Sequence, residues 1–322
     1  MNNLKGRRVS VIGGMGFIGA NLVERLLNDG ARVTVLTPLR ERHADQAEAF
    51  EQRDARVVEG DLRDRELVPS LIEGQEVVFN LSGQSGAVRS MEDPWTDLDV
   101  NVRGNLVLLE SIRASRSQPK LVFAGSRLQY GKPDTLPVSE EQAGAPLCVH
   151  AIHKRTVEEY LQLYARLFGV PYTIARITNP YGPGQPKGRT AYGVINRLIH
   201  LALAGETLPI FGDGRQQRDY VHVADVVDAL LVLAASDRAN GRAYNIASGV
   251  GTPMIDAAAQ IVAIAGRGHI EHVAWPALAE QIETGDFVAD ISRAQRELGW
   301  SPSRTLQAGL EETIAHYRAA LS

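Results

Sequence analysis

Val9-Ser10-Val11-Ile12-Gly13-Gly14-Met15-Gly16-Phe17-Ile18-Gly19 decides how the rest of this chain is read. Four apolar or small β-formers run into glycines spaced Gly13-x-x-Gly16-x-x-Gly19, and Ile18, Leu22, Val23, Leu26 and Leu27 then share one helical face. That is a strand, a tight turn and a helix. The three glycines have separate jobs: one allows the turn, one lets the backbone approach a pyrophosphate, and one lets helix and strand pack closely. Free amides at the partly positive helix N-terminus hold the anion. The stretch therefore predicts a dinucleotide site with Gly13, Gly16, Phe17, Ile18 and Gly19 around the pyrophosphate.

Working outward, residues 31–36 read as a second strand ending at Thr37-Pro38-Leu39-Arg40. An acid there would accept from the ribose hydroxyls and repel a 2′-phosphate. Thr37 does not repel it, and Arg40 and Arg42 can pair with a phosphate dianion. The cofactor is NADP or NAD, with NADP favoured. Residues 56–62 read as a third strand, where Asp61 either meets the adenine amino group or caps a helix from Arg63. Residues 76–83 read as a fourth strand whose end, Leu81-Ser82-Gly83, leaves room for a ligand.

A helix over 100–112, a strand over 120–126, a polar loop over 132–146, a helix over 149–168 and a strand over 172–177 follow. Strands alternating with helices predict an α/β fold with a doubly wound parallel sheet. The breaker run at 178–185 opens the expected substrate region. Helices over 191–204 and 221–235, a short strand over 243–246 and a helical remainder broken at Trp275-Pro276 complete the reading. The expected division is 1–178 plus 212–247 for the dinucleotide and 179–211 plus 248–322 for a smaller, mostly C-terminal substrate region.

The 322 residues are 44% hydrophobic and 22% charged, which is ordinary globular composition. A net charge of −4 gives no reason to expect nucleic acid or a membrane surface as a partner. There is no apolar run long enough to span a membrane and no signal-peptide core, so cytoplasm is the expected location. The single Cys148 excludes an internal disulfide and reads as inert packing.

Further along, Asp61-Leu62, Asn101, Ser126 four residues before Tyr130-Gly131, Lys154 and Asn179-x-Tyr181-Gly182-Pro183-Gly184 join the glycine turn in an ordered set. Gly212-Asp213-Gly214-x-x-x-Arg218-Asp219-Tyr220-Val221-His222-Val223-x-Asp225 completes it. Together these resemble the extended short-chain dehydrogenase/reductase family, in its nucleotide-sugar epimerase/dehydratase group, over nearly the whole chain. The resemblance implies a Rossmann-type domain, NAD(P), a nucleotide-sugar substrate and hydride transfer at a sugar carbon. It implies no metal, and by analogy a homodimer built on helices 100–112 and 149–168.

The family's proton chemistry resembles a Ser/Thr–Tyr–Lys arrangement. Ser126 and Lys154 occupy two of the places, but Tyr-x-x-x-Lys reads here as His150-Ala151-Ile152-His153-Lys154. Positions 150 and 154 share a helix face, so His150 can stand where the tyrosine would. Imidazole shuttles protons with a reference pKa of about 6.5, against about 10 for tyrosine. Lys154 and an oxidised nicotinamide push it lower, so neutral His150 is the expected base. The alternative is a drifted position without turnover. His153 reads as a helix-surface residue.

The resemblance also implies that Asn179 and Arg218 meet the nucleotide diphosphate, Arg218 through its fork of donors, unless Arg218 is paired with Asp219 or Asp225. Gln84, Ser126 and Arg127 are the remaining substrate candidates. Dehydratases of the family carry Asp-Glu after the Ser/Thr, and decarboxylases carry Glu at the second of those places; here they are Arg127 and Leu128. Both reactions are disfavoured. Epimerisation of an NDP-sugar, expected at C4, remains, with NADPH-dependent reduction of an NDP-keto-sugar or cofactor binding without turnover as alternatives. Gly285-Asp286-Phe287 stands where many members have a further arginine.

Overall fold

The computed structural model describes residues 4–38, 40–84, 86–185 and 193–320. β1 (Arg8–Ile12), α1 (Phe17–Asn28), β2 (Arg32–Thr37), α2 (Ala44–Glu51), β3 (Arg56–Glu59), α3 (Leu67–Ile72) and β4 (Val77–Asn80) form the first half of the sheet. α4 (Ala87–Glu92), α5 (Pro94–Leu98) and a π-helical turn (Asp99–Arg103) lead into α6 (Gly104–Ala114), β5 (Lys120–Ser126), α7 (Val149–Phe168) and β6 (Tyr172–Ile177). Then come β7 (Asn179–Tyr181), α8 (Val194–Ala204), β8 (Thr207–Phe211), β9 (Gln217–His222), α9 (Val223–Ala235) and β10 (Arg242–Ile246). β11 (Gly251–Pro253), α10 (Met254–Ala265), β12 (His269–Val273), α11 (Ala277–Gln281), α12 (Ser292–Leu298) and α13 (Leu306–Ala319) close the chain.

Seven strands form one parallel sheet in the order β10-β6-β5-β4-β1-β2-β3. β1 is an interior strand in register with both neighbours: Val9 lies opposite Val33 on β2 and Val77 on β4. The chain reverses direction across the sheet between β3 and β4, so the carboxyl ends of β1 and β4 flank the crevice where such sheets bind ligands.

Because both faces are covered, the middles of the strands are largely apolar. On one face Val9 and Val11 pack with Leu22, Val23 and Leu26 of α1 and with Val226 and Leu230 of α9. On the other, Val78, Leu121 and Phe123 pack with Leu108 and Ile112 of α6 and Val157 and Leu161 of α7. A third core joins α8, α10 and α13 through Leu198, Ile199, Ile261, Leu310 and Ile314. The expected α/β doubly wound sheet is the one observed. Among the described residues no helix is long and apolar enough to cross a membrane.

Several boundaries differ from expectation. The third and fourth strands stop at Glu59 and Asn80, before their glycine-bearing ends. The helix expected over 221–235 begins only at Val223, because residues 217–222 form β9 between β7 and β11. β9 is buried but mostly polar in sequence, and its last apolar residue, Val221, adjoins the apolar run of α9; His222, whose side chain accepts from Ala224 N, marks the break. Residues 191 and 192 of the helix expected over 191–204 lie outside the described residues. The remainder is not all helical: β12 pairs with β8, and its exposed sequence His-Ile-Glu-His-Val carries little apolar alternation.

Candidate active site

The glycine turn is built as the sequence implies. Gly13 adopts φ +80°, and a Cβ on it would fall 2.8 Å from Ser82 N, so the ends of β1 and β4 touch there. Gly16 precedes α1 in an extended conformation with no side-chain cap. A Cβ on Gly19 would fall 2.8 Å from Gly14 Cα, which keeps α1 tight against the turn. The first-turn amides of Phe17, Ile18 and Gly19 are thus left to an anion at the crevice. This cradle fits a pyrophosphate.

On the adenosine side, Thr37 is buried at the end of β2 and its carbonyl accepts from Gly60 N at 3.0 Å. Arg40 donates to Val57 O at 3.2 Å and pairs with Glu51 at 2.9 Å. Asp61 accepts the amide and the guanidinium of Arg63, both at 2.8 Å; these side-chain bonds hold its carboxyl below the usual range against the opposing effect of burial. No helix starts there, since α3 begins at Leu67. Leu62 is buried against Gly104. Leu81 N donates to Ile12 O, and Ser82 Oγ donates to Asn80 Oδ1. A Cβ on Gly83 would meet Asn101 Oδ1 and lie 3.7 Å from Lys154 Nζ.

His150 and Lys154 are both buried on one face of α7. Lys154 Nζ donates to Ala124 O at 2.9 Å, and burial pulls its pKa down to about 8. His150 N donates to Ser90 Oγ at 3.0 Å. Its Nδ1 lies 3.4 Å from Asn101 Nδ2 and 3.5 Å from Asp97 Oδ2. Burial, with the charge of Lys154, lowers the imidazole pKa, while Asp97 works against that. Asn101, carried on the π-helical turn, donates to Gln84 O at 2.8 Å, and Gln84 Nε2 donates to Asp93 O. Ser126 closes β5; its hydroxyl accepts from Leu128 N at 3.3 Å. Cys148 is buried, and burial pushes its thiol up.

His153 is not the surface residue expected. Its side chain is 13% exposed and its Nδ1 lies 2.7 Å from Asp97 Oδ1. Sequence reasoning missed Asp97 altogether. Its one signal is its place four residues before Asn101, one helical turn along the same face.

The substrate candidates gather beyond Ser126. Arg127 is buried; Nε donates to Asn179 Oδ1 at 3.2 Å, Nη1 to Thr284 Oγ1 at 2.9 Å, and the guanidinium lies over the Phe287 ring. Burial and the nearby charge of Arg218 lower its pKa to about 10. Asn179 Nδ2 donates to Asp219 O. Arg218 is buried, donates to Gly285 O at 2.7 Å and pairs with Glu283. Neither Asp219 nor Asp225 is its partner: Asp219 accepts the amides of Ser248, Gly249 and Ala289, and Asp225 those of Ser303 and Arg304. Glu283 and Thr284 sit in no motif that sequence reasoning could use.

A glycine cradle at a switch point and a helix N-terminus is the arrangement that a dinucleotide pyrophosphate fits. The model of the NAD dependent epimerase/dehydratase family matches residues 9–247. The chain belongs to that family. As such it is an enzyme of the extended short-chain dehydrogenase/reductase type. It is 34% identical over 314 residues to a UDP-glucose 4-epimerase of Mycolicibacterium smegmatis, covering 97% of this chain and 98% of that one. Among solved structures it resembles the UDP-glucose 4-epimerase of Thermotoga maritima with UDP-glucose (TM-score 0.88, 30% identity, 98% of this chain and 100% of that one). It also resembles that of Thermus thermophilus in complex with NAD (TM-score 0.86, 30% identity, 97% and 99%).

Proposed function

We propose that this family member is an NDP-sugar epimerase acting at C4 through a transient keto sugar, with His150 moving the proton. The observation that carries the reading is the burial of His150 and Lys154 on one face of α7, beside Gly83 and Asn101 at the crevice. When bound, NAD(P) would supply a hydride acceptor and donor for the sugar carbon. Gly13, Gly16, Phe17, Ile18 and Gly19 hold its pyrophosphate, Thr37, Asp61 and Leu62 border its adenosine, and Leu81, Ser82 and Gly83 leave room for it. Lys154 holds its ribose and, by charge, disfavours a proton on His150. Ser126 orients the sugar oxygen. Neutral His150 takes the hydroxyl proton, holds it on the ring and gives it back.

Arg127 and Leu128 place no carboxylate beside Ser126, so no acid stands there to eliminate water. Arg127 instead adds a second guanidinium beside Arg218, where 285–287 supplies none. With Asn179 these two grip the diphosphate, and Gln84 meets the sugar. The sugar and its nucleotide lie against 179–211 and 248–322, of which 186–192, 321 and 322 lie outside the described residues.

The family uses NAD. The reading of NADP rests on Thr37 and Arg40: the Arg40–Glu51 pair is 40% and 35% exposed, and such pairs contribute only ~0–1 kcal/mol, so a phosphate dianion displaces Glu51. A homodimer is supported by exposed Met91, Trp95 and Leu98 on α4 and α5 with Ile152 on α7, which packs against both.

The test incubates the protein with UDP-glucose, UDP-galactose and their 4-keto forms and follows 340 nm absorbance and product isomers. Epimer formation without net absorbance change is expected. Stoichiometric NADPH loss on a keto sugar makes the protein a reductase, and silence with bound cofactor removes the catalytic role of His150.

A further inference from the structure

Two histidines of α7 share one buried carboxylate. Asp97 belongs to α5, whose start is fixed by Pro94 and by Asp93 accepting from Thr96 N at 3.0 Å. Its side chain is fully buried. A buried carboxylate is costly unless it is paired and hydrogen-bonded, yet among the described residues no lysine or arginine forms an ion pair with it. Oδ1 is anchored by His153 Nδ1 at 2.7 Å. Oδ2 makes no well-formed hydrogen bond among the described residues, but His150 Nδ1 lies 3.5 Å from it.

A tyrosine presents one oxygen, and a lysine charge is enough to tune it. An imidazole presents two nitrogens, and only one of them can be the base. His150 Nδ1 lies near both Asn101 Nδ2, at 3.4 Å, and Asp97 Oδ2. If Asn101 donated to Nδ1, the neutral ring would carry its proton on Nε2 and could accept nothing there. Asn101 Nδ2 carries two hydrogens: one goes to Gln84 O at 2.8 Å, and Asp97 competes with His150 Nδ1 for the other. A carboxylate accepts and never donates, so its charge decides the tautomer.

We propose that Asp97 is a positioning residue: its buried carboxylate takes the Nδ1 proton of His150 and leaves Nε2 as the proton-accepting atom. This rests on the reading of His150 as the proton-transfer group. The sugar hydroxyl proton moves to Nε2 and returns from it, while the Nδ1 proton stays in place and Asp97 stays ionised. Asp97 also supplies the counter-charge for the imidazolium formed beside Lys154 in a buried site. The titratable groups around His150 are Asp97 from α5, His153 and Lys154 from α7, and Cys148 just before α7. The burial of Asp97 works to protonate it, and the donors that face it on His150, Asn101 and His153 outweigh that and keep it ionised.

The experiment uses the full chain labelled with ¹⁵N in the histidine rings. Two-bond ¹⁵N–¹H spectra are recorded across pH for the wild type and Asp97→Asn, with His150→Gln to assign the His150 signals. The expected result is a neutral His150 with its proton on Nδ1. In Asp97→Asn its pKa should fall by at least about one unit through loss of the counter-charge. kcat should fall by about 10²-fold or more, and KM by less than a few-fold. A wild-type His150 protonated on Nε2 overturns the proposal, as does an unchanged His150 pKa in Asp97→Asn. If that variant does not fold, the wild-type tautomer decides alone. Supporting spectra with no sugar turned over leave Asp97 positioning His150 and remove the epimerase reading. Contrary spectra alongside His150-dependent epimerisation do the reverse.

Discussion

Lys154 Nζ donates to the main-chain carbonyl of Ala124 at 2.9 Å and lies 4.7 Å from the centre of the Phe123 ring, with no carboxylate in ion-pair range among the described residues. A cation held this way is placed for a ligand at the expense of the apoprotein. Burial lowers its pKa from 10.5 to about 8. The folded state therefore binds fewer protons than the unfolded chain between those values. The cost is complete below about pH 8 and fades as pH rises towards 10.5. Lys154→Met should stabilise the apoprotein at pH 7 by of order 1–3 kcal/mol, raising Tm by a few degrees, with the gain shrinking above pH 8. Scanning calorimetry at pH 7 and 10 checks this. A lower melting point at pH 7 would show that the cation stabilises the fold.

His150→Ala removes the imidazole from a site that the backbone and Lys154 otherwise define. Because burial and Lys154 hold the ring pKa below the usual histidine value, it is neutral at pH 7 and able to accept a proton. Turnover in the variant should fall by about 10²–10⁴-fold, with cofactor binding within a few-fold of wild type. In the wild type, kcat/KM should stay level down to about pH 6.5 and fall only below it. Steady-state kinetics and cofactor titration check both, and unchanged activity in the variant removes His150 from the mechanism.

What the sequence made legible was local. The β1–glycine–α1 unit could be read because Gly13 and Gly19 meet within one turn, and the His150–Lys154 face because one helix carries both residues. The sheet followed from apolar strands alternating with helices. What stayed hidden depends on contacts between distant segments. Asp97 reaches His153 from 56 residues away, with no spacing rule to announce it. β9 was not recognised because its buried sequence Gln-Arg-Asp-Tyr-Val-His has no apolar alternation to betray it, and its last two residues were read into α9. β12 was missed for the opposite reason, since its side chains are mostly outside the core. Arg218 was recognised by its motif, but its partner Glu283 belongs to none.

The dinucleotide preference turns on Arg40, which lies beyond Thr37 and is held by Glu51 at 2.9 Å and by Val57 O. Arg40→Asp should weaken NADP by about 10-fold or more, since a charge-assisted contact contributes about 1.5–3 kcal/mol, and leave NAD nearly unchanged. Glu51→Gln frees Arg40 and should tighten NADP alone by a few-fold. Fluorescence titration of both cofactors checks the pair of variants. Equal effects on NAD and NADP would sink the 2′-phosphate role.

Glu283 occupies Arg218 where the resemblance places a substrate diphosphate. The guanidinium also donates through Nη1 to Gly285 O at 2.7 Å and Gln217 O at 2.9 Å, so it stays fixed without the carboxylate. Arg218 is 6% exposed and Glu283 25%, so the acid is the partner nearer solvent and the one that can move. A diphosphate arriving at Arg218 must displace a like charge, and that competition subtracts from its binding energy. Glu283→Gln keeps the size and an acceptor oxygen but removes the charge. It should bind UDP several-fold tighter, with the gain shrinking as salt screens the charge that the wild type retains. Arg218→Leu should lose most of the affinity, about 2–5 kcal/mol for an ion contact of this burial. Calorimetric titration of UDP at low and high salt separates the two. Weaker binding in Glu283→Gln would mean that the carboxylate orients Arg218 for the ligand and does not compete with it.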